Sequence, residues 1–405
     1  MAIGVTRRAA ILRGLAGATI LAAGGVVWRA WSNGVFHAGE GPAYQPWHDW
    51  RTAKLSGPLA MVQAGILASS AHNTQPWRFQ VSDEQIALFA DHERNLGALD
   101  PYRREMALSL GCALENMMLA AGAGRLDPGL ELPPGRLSLR PPPVADKPVA
   151  VIQLKHGERR ENELFDAIAR RHTHRGSYQA DRTLSPGLQD EMQALVTDTS
   201  EIRLFVFGDG ANKSTLGELT VSATADIVTD HEMAMDSARW FRFDWDSLQR
   251  HRDGITFDAA GLPPLINVAA KIIPAPSPEQ ADRQWLDATR DVHVKTASVL
   301  GLIAVRGLYD RAVTLKAGRL WQRLHLWATA RGLAAQPLNQ APERVDREAE
   351  LGRPPRMAEA LARLTGDANW QPTFAFRMGY ADRAAGPSPR RPVAAVVSQF
   401  AKREG

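Results

Sequence analysis

The chain has 405 residues, of which 44% are hydrophobic and 23% charged, with a formal net charge of +4 at pH 7. Such values exclude a long disordered chain, and a mild charge with no concentrated basic stripe argues against nucleic acid as a partner. The single cysteine, Cys112, excludes an internal disulfide and a multi-cysteine metal site; in the apolar context SLGCAL it reads as a small core residue.

The N-terminus comes first in chain order. Thr6–Leu12, TRRAAIL, sets paired arginines ahead of an uncharged run, Gly14–Trp28, closed by Arg29. At about 1.5 Å per helical residue this run falls short of a hydrocarbon core of about 30 Å. A basic region before a short apolar one reads as an export signal over residues 1–35, and the arginine pair favours the twin-arginine route. Ala30-Trp31-Ser32 offers small residues for cleavage, and the alternative is an uncleaved anchor that associates the N-terminus with a membrane. Twin-arginine export moves folded proteins, often with a cofactor in place. A periplasmic location and a cofactor are therefore both expected.

After a Trp- and Pro-bearing linker, residues 45–155 form a first unit. Leu59–Leu67 is helical and runs into SSAHNTQPW, Ser69–Trp77. Trp77–Val81 and Gln85–Ala90 alternate as paired strands around a Ser82-Asp83 turn. Arg104–Ala121 repeats apolar residues at three-to-four spacing, which predicts a buried helix stopped by Gly122 and Gly124. A Pro-rich bridge, Pro128–Pro148, leads to a strand at Val149–Leu154.

Residues 156–405 form a second unit. ELFDAIAR opens it as an amphipathic helix that gives way to RRHTHR, Arg170–Arg175. Strands are predicted at Ile202–Gly208, Ser298–Val305 and Phe374–Tyr380, and a long helix at Gly318–Arg331 carries Leu320, Trp321, Leu324 and Trp327 on one stripe. Residues 230–276, rich in tryptophan, read as an insertion. ALENMMLAAGAGRL in the first unit corresponds to LWQRLHLWATARGLAAQP in the second, a weak internal repeat.

The groups that carry chemistry are unevenly spread. In RRHTHR the guanidiniums and the Thr173 hydroxyl can converge on one anion, for which arginine offers a fork of donors. PRRP, Pro389–Pro392, adds two guanidiniums on a proline-stiffened segment; a solvated basic face is the alternative for either cluster. His172 and His174 are flanked by arginines with no nearby carboxylate or thiolate, which argues against a metal site. Ser69 or Ser70 with His72 lacks a fixed acid partner, which argues against a serine hydrolase. The hydroxyls and carboxamides of SSAHNTQPW instead form a hydrogen-bonding rim suited to the edge of a planar heterocycle.

These motifs resemble the nitroreductase superfamily. SSAHNTQPWRF is similar to its flavin-contacting Ser-Ser-x-x-Asn-x-Gln-Pro-Trp signature, and RRHTHR to its FMN-phosphate motif at a helix end. GLAAQPLNQ, Gly332–Gln340, resembles the segment beside the reactive edge of the isoalloxazine, and PRRP the C-terminal basic element at the phosphate. HNTQPWRF, DPYRREMALSLGCAL and QPLN narrow the resemblance to Acg-type FMN-binding oxidoreductases. The resemblance implies an α+β, nitroreductase-like fold, tandem-duplicated as a single-chain pseudo-dimer with central sheets flanked by helices. The first half carries SSAHNTQPW, whereas the second carries the other three motifs, so the halves together equip one FMN site.

By the same resemblance Arg171, Thr173, Arg175 and Arg390 or Arg391 hold the phosphate. Ser69, Ser70, Asn73 and Gln75 contact the ring or ribityl edge, and Pro337, Leu338 and Asn339 line the ring face or its N5 side. Many nitroreductases have Glu-Gly after the proline where this chain has Asn339-Gln340. The aromatics of the insertion either cover the flavin or form a packing subdomain. The function implied is an FMN-dependent oxidoreductase reducing a nitroaromatic, quinone or similar planar acceptor, with the flavin rather than a side chain supplying the chemistry. Its donor is NAD(P)H or, after export, a membrane or periplasmic carrier. As a pseudo-dimer the chain is expected to be monomeric. The alternatives are a protein that sequesters FMN without turnover, and a membrane-tethered interaction protein with no cofactor.

Overall fold

The computed structural model describes residues 25–52, 55–139 and 147–399. The twin-arginine segment and most of the uncharged run lie outside the described residues. The first part of the chain contributes α1 (25–32), α2 (Gln45–Thr52), α3 (Gly57–Gly65), β1 (Trp77–Val81), β2 (Gln85–Ala90), α4 (Arg104–Ala123), β3 (Leu126–Glu131) and β4 (Ala150–His156). Next come α5 (Glu163–Ala167), α6 (Pro186–Ala194), β5 (Ile202–Phe207), α7 (Gly210–Thr229), α8 (His231–Ala238), β6 (Phe241–Arg242), α9 (Trp245–His251), β7 (Ile255–Thr256), α10 (Pro264–Ile272) and α11 (Pro278–Ala288). The chain closes with β8 (Val299–Val305), α12 (Arg311–Ala330), β9 (Ala334–Pro337), α13 (Gln340–Glu350), α14 (Arg356–Thr365), β10 (Gln371–Gly379) and β11 (Val397–Gln399).

Two sheets organise this α+β fold. The first has the order β11-β1-β2-β4-β3 and the second β5-β8-β10-β9. The second sheet is antiparallel throughout, with β8 buried along its whole length between β5 and β10. β3 falls where the sequence reads as a Pro-rich bridge. It is an edge strand, and an edge is where a residue such as Pro128, with no N–H to donate, can stand. β11 was not foreseen: it returns from the end of the chain to pair in parallel with β1, Phe79 opposite Val397.

Helix ends follow local chemistry. Pro186 and Pro278 begin α6 and α11 behind the capping serines Ser185 and Ser277, and Asp310 accepts from Val313 N to cap α12. The start of α4 is satisfied from further away: the Asp100 carboxylate accepts from the N–H groups of Glu105 and Met106, both at 2.9 Å.

α4 packs on the first sheet and α12 on the second, and these two helices cross each other at the centre of the molecule. α4 is apolar and long enough to cross a membrane, yet it is a core helix covered by its neighbours. The crossing is made by a reciprocal pair of glycines. A Cβ on Gly111 would collide with the carbonyl of Leu315, and one on Gly318 with the carbonyl of Leu108. The two contacts are related by exchanging Leu108-x-x-Gly111 for Leu315-x-x-Gly318, in the same register as the internal repeat. Cys112 is buried beside this point, its thiol 3.3 Å from the Gly318 carbonyl oxygen.

Candidate functional site

α3 ends at Gly65, and buried Ile66–Ala68 carry the chain into Ser69–Trp77. The backbone there is unusual. His72, Asn73 and Gln75 all have left-handed φ, at 44°, 57° and 52°. For residues other than glycine such conformations cost on the order of 1–3 kcal/mol each, and they persist only where the surroundings over-determine them.

The surroundings here are four separate segments. Gln75 N–H donates to Ser70 Oγ at 3.2 Å, and Gln75 Nε2 to the Arg252 carbonyl at 2.8 Å. Asn73 Nδ2 donates to the carbonyls of Gly254 at 3.1 Å and Pro389 at 3.0 Å. Ser69 N–H donates to Gln322 Oε1 at 3.1 Å, and Ala71 N–H to Ser109 Oγ at 3.0 Å. The predicted rim is therefore held by α4, α12, the insertion and the C-terminal segment.

Arginines from the second half close on this segment. Arg171, 1% exposed, donates to the Leu67 carbonyl at 3.1 Å, and its other terminal nitrogen lies 3.4 Å from His325 Nδ1. Arg390, 3% exposed, donates to the next carbonyl, Ala68, at 3.2 Å and to Asn73 Oδ1 at 2.5 Å. Arg175 donates to the Ala259 carbonyl at 2.9 Å. Among the described residues no carboxylate forms an ion pair with Arg171, Arg175 or Arg390, and the Nε atoms of Arg171 and Arg390 have no hydrogen-bond partner.

The electrostatics record this imbalance. Burial, with repulsion from Arg175, lowers the Arg171 pKa to about 10. Burial, with Arg377 nearby, lowers Arg175 to about 10, and burial beside Arg171 sets Arg390 well below its ordinary value. Neighbouring histidines are held neutral: burial and Arg175 lower His72 to about 4, and burial and Arg171 set His325 well below 6.5. A buried charge without a partner is costly, so an anion is the counter-charge these guanidiniums lack.

The other predicted residues fall in different places. Thr173 is half-buried between His172 and His174 on the extended stretch that follows Arg171. Arg391 clamps the rim, its N–H donating to Gln75 Oε1 at 2.8 Å, and its guanidinium lies 3.6 Å from Asp91. Pro337 ends β9, and Leu338 is buried in a second core with Leu300 and Leu302. Asn339 points into an acidic cluster, its Nδ2 2.9 Å from both oxygens of Glu105 while its Oδ1 accepts from Ala375 N–H at 2.7 Å. Burial there raises Asp100 to about 6 and Glu105 to about 7, and Arg104 pairs with Asp346 at 2.8 Å. Pro337, Leu338 and Asn339 are thus not gathered at the arginines.

The insertion's phenylalanines pack together, Phe243 lying 5.5 Å from Phe241 and 4.8 Å from Phe257, while Trp245 meets His37 and Trp240 meets Arg94. It is the insertion's backbone carbonyls that reach the site. Two contributors escaped the sequence reading. Trp47, which no motif singled out, lies under the Arg390 guanidinium at 5.0 Å and against His172 at 4.7 Å. Arg377 stacks on Tyr178 at 3.9 Å and donates to the Gly176 carbonyl at 2.7 Å, fixing the turn after Arg175. A tryptophan in a short helix, and an arginine inside an otherwise apolar strand, were the signals available.

No protein-family model matches the chain. A protein of Mycobacterium tuberculosis H37Rv named "Putative NAD(P)H nitroreductase Rv3131" is 25% identical over 374 residues, covering 89% of this chain and 95% of that one. The chain is similar to proteins named as nitroreductases. Another nitroreductase relative from that organism, named acg, is 42% identical over 62 residues, covering 15% of this chain and 19% of its own. The crystal structure of the FMN-dependent nitroreductase NfnB from Mycobacterium smegmatis, in complex with NADPH, aligns at 17% identity with a TM-score of 0.37, covering 59% of this chain and 100% of that one.

Proposed function

We propose that this nitroreductase relative is an FMN-dependent oxidoreductase that passes two electrons to a nitroaromatic, quinone or similar planar acceptor. One observation carries the reading: Arg171, Arg175 and Arg390 are drawn together without a carboxylate, against a strained segment rich in polar groups. Three guanidiniums without a carboxylate partner, two of them with an unpaired Nε, fit a phosphate monoester, and the chemistry of the donor set matches the FMN phosphate. Arg171, Arg175 and Arg390 would hold that phosphate, with the Thr173 hydroxyl as a further donor. Ser69 and Ser70 offer hydroxyls toward the rest of the cofactor, while Asn73 and Gln75 hold the segment in its left-handed conformation.

When bound, the flavin supplies the two-electron chemistry. The protein's part is to bind, orient and exclude water. The buried histidines, neutral near pH 7, add no charge to compete with the arginines. The reciprocal Gly111–Gly318 contact supports a tandem arrangement with a single site, one half carrying the rim and the other the phosphate arginines. Export through the twin-arginine route fits a donor other than soluble NAD(P)H.

Absorption of the purified protein, with and without added FMN, tests the cofactor. A preparation that stays colourless after incubation with FMN overturns the reading. Anaerobic addition of NADH, NADPH or dithionite then tests turnover. Bleaching by a nicotinamide, followed by reoxidation with a quinone, is expected of an oxidoreductase. A bound flavin that resists even dithionite would make this a sequestering protein instead.

A further inference from the structure

We propose that α1 and α10 together form a surface by which this protein lies on a lipid bilayer. α10 is amphipathic in the inverted sense. Its polar residues Asn267 and Lys271 face the protein: Asn267 Nδ2 donates to Asp258 Oδ1 at 2.9 Å, and Lys271 pairs with Asp258 at 2.8 Å. Its apolar residues face outward, with Leu265 84% exposed and Ile266 55% exposed, and Ile273 exposed just beyond the helix. A helix of a water-facing surface shows the opposite arrangement.

α1 adjoins this face through the same lysine. Lys271 Nζ donates to the Gly34 carbonyl at 3.2 Å, and Asn33 Nδ2 donates to the Lys271 carbonyl at 2.5 Å. α1 and the turn after it expose Val27, Trp28, Trp31 and Phe36. Exposed apolar surface of this kind marks an interaction site.

Three observations select lipid as the occupant. The uncharged run Gly14–Trp28 leads into α1 and so arrives at this face, too short to cross a bilayer yet apolar enough to lie in its interface. Trp28 and Trp31 are side chains that favour headgroup depth. Residues 25–36 and 262–273 carry one exposed cation, Arg29, and no carboxylate, which suits an anionic leaflet. Docking on α10 lays the insertion, whose carbonyls hold the rim and Arg175, next to the membrane. The inference does not depend on whether the bound cofactor turns over.

The test uses the full chain and vesicles of phosphatidylglycerol and phosphatidylethanolamine. In an Ile266→Cys variant labelled with acrylodan, Cys112 being buried, emission should shift to the blue on adding vesicles. Leu265→Glu with Ile266→Glu should weaken co-sedimentation by about tenfold or more, because two partly inserted aliphatic side chains are lost. Both positions are exposed, and a parental circular-dichroism spectrum and melting curve confirm that the variant folds. Failure of the parent to co-sediment overturns the proposal. So does co-sedimentation without a shift at position 266 and without loss in the double variant, which would leave the N-terminal segment as the whole anchor. A shift that grows with protein concentration in the absence of lipid, and not with vesicles, identifies a second copy as the occupant and also overturns it.

Discussion

Arg390 donates to the side-chain oxygen of Asn73 at 2.5 Å across 317 positions of chain. Its neighbour Arg171 reaches the carbonyl just before the one that Arg390 itself holds, so two unneutralised guanidiniums grip consecutive peptides at the entrance to the strained segment. The arrangement places a cost on the ligand-free protein that an anion removes.

Opposite signs are therefore expected for Arg171→Met. FMN affinity should fall by roughly ten- to a hundredfold, from the loss of about 1.5–3 kcal/mol of charge-assisted hydrogen bonding. Without ligand the melting temperature should hold or rise, because a buried charge with no counter-ion has gone. Flavin titration and calorimetry check the two halves separately. An unchanged affinity refutes the phosphate assignment.

Ligand-linked melting gives an independent test of the same arginines. FMN at about a hundred times its Kd should stabilise the protein by about 2.7 kcal/mol. Riboflavin has the same ring and no phosphate, and at equal concentration should raise the melting temperature much less. Equal shifts would remove the arginine cluster from cofactor binding.

At the centre of the fold, Gly318→Ala should destabilise by about 1–3 kcal/mol, since its Cβ must displace the Leu108 carbonyl of a packed helix. Gly111→Ala should behave alike, because its Cβ meets the Leu315 carbonyl. Gly122→Ala, on the same helix as Gly111 but 3.5 Å from an arginine side chain, is the control and should be neutral or mildly stabilising. Denaturant midpoints for the three variants decide the matter.

The acidic cluster around Asn339 yields a pH dependence. Burial raises Glu105 to about 7 from an ordinary value of 4.5. Between those values the folded protein holds a proton that the unfolded chain has released, so this group's contribution to stability falls as pH rises through the window. Glu105→Gln removes the titration. The variant's stability relative to its parent should therefore rise between about pH 5 and pH 8, as urea denaturation at both ends will measure. A difference that stays flat, or falls, contradicts the assignment.

The rim was legible in the sequence because polar residues rarely crowd against an apolar run and a tryptophan without a local purpose. Arg171, Arg175 and Arg390 were legible as donors, but not as uncompensated ones, since the absence of a carboxylate is a fact of three-dimensional packing. β8 announced itself through its apolar run. β10 begins earlier than foreseen, at Gln371, because Pro372 sits at a register irregularity where the ladder tolerates it. Pro337, Leu338 and Asn339 were legible as a run, but not in their separate directions. The chain turns from β9 into α13 at this point, and consecutive side chains leave the turn toward separate cores. The inverted face of α10 was hidden because composition alone does not say which side of a helix meets the protein.

The return of β11 to the first sheet ties the order of events in biosynthesis to the order of residues in the gene. At about 5–20 residues per second, Arg390 leaves the ribosome roughly 15–60 s after Asn73. For that interval the left-handed stretch lacks two of its clamps, Arg390 and Arg391, and the proposed phosphate site lacks one of its arginines. On the proposed reading, cofactor loading waits until nearly the whole chain has emerged, and export of finished, folded cargo, as expected of the paired arginines, would also select for molecules able to have been loaded.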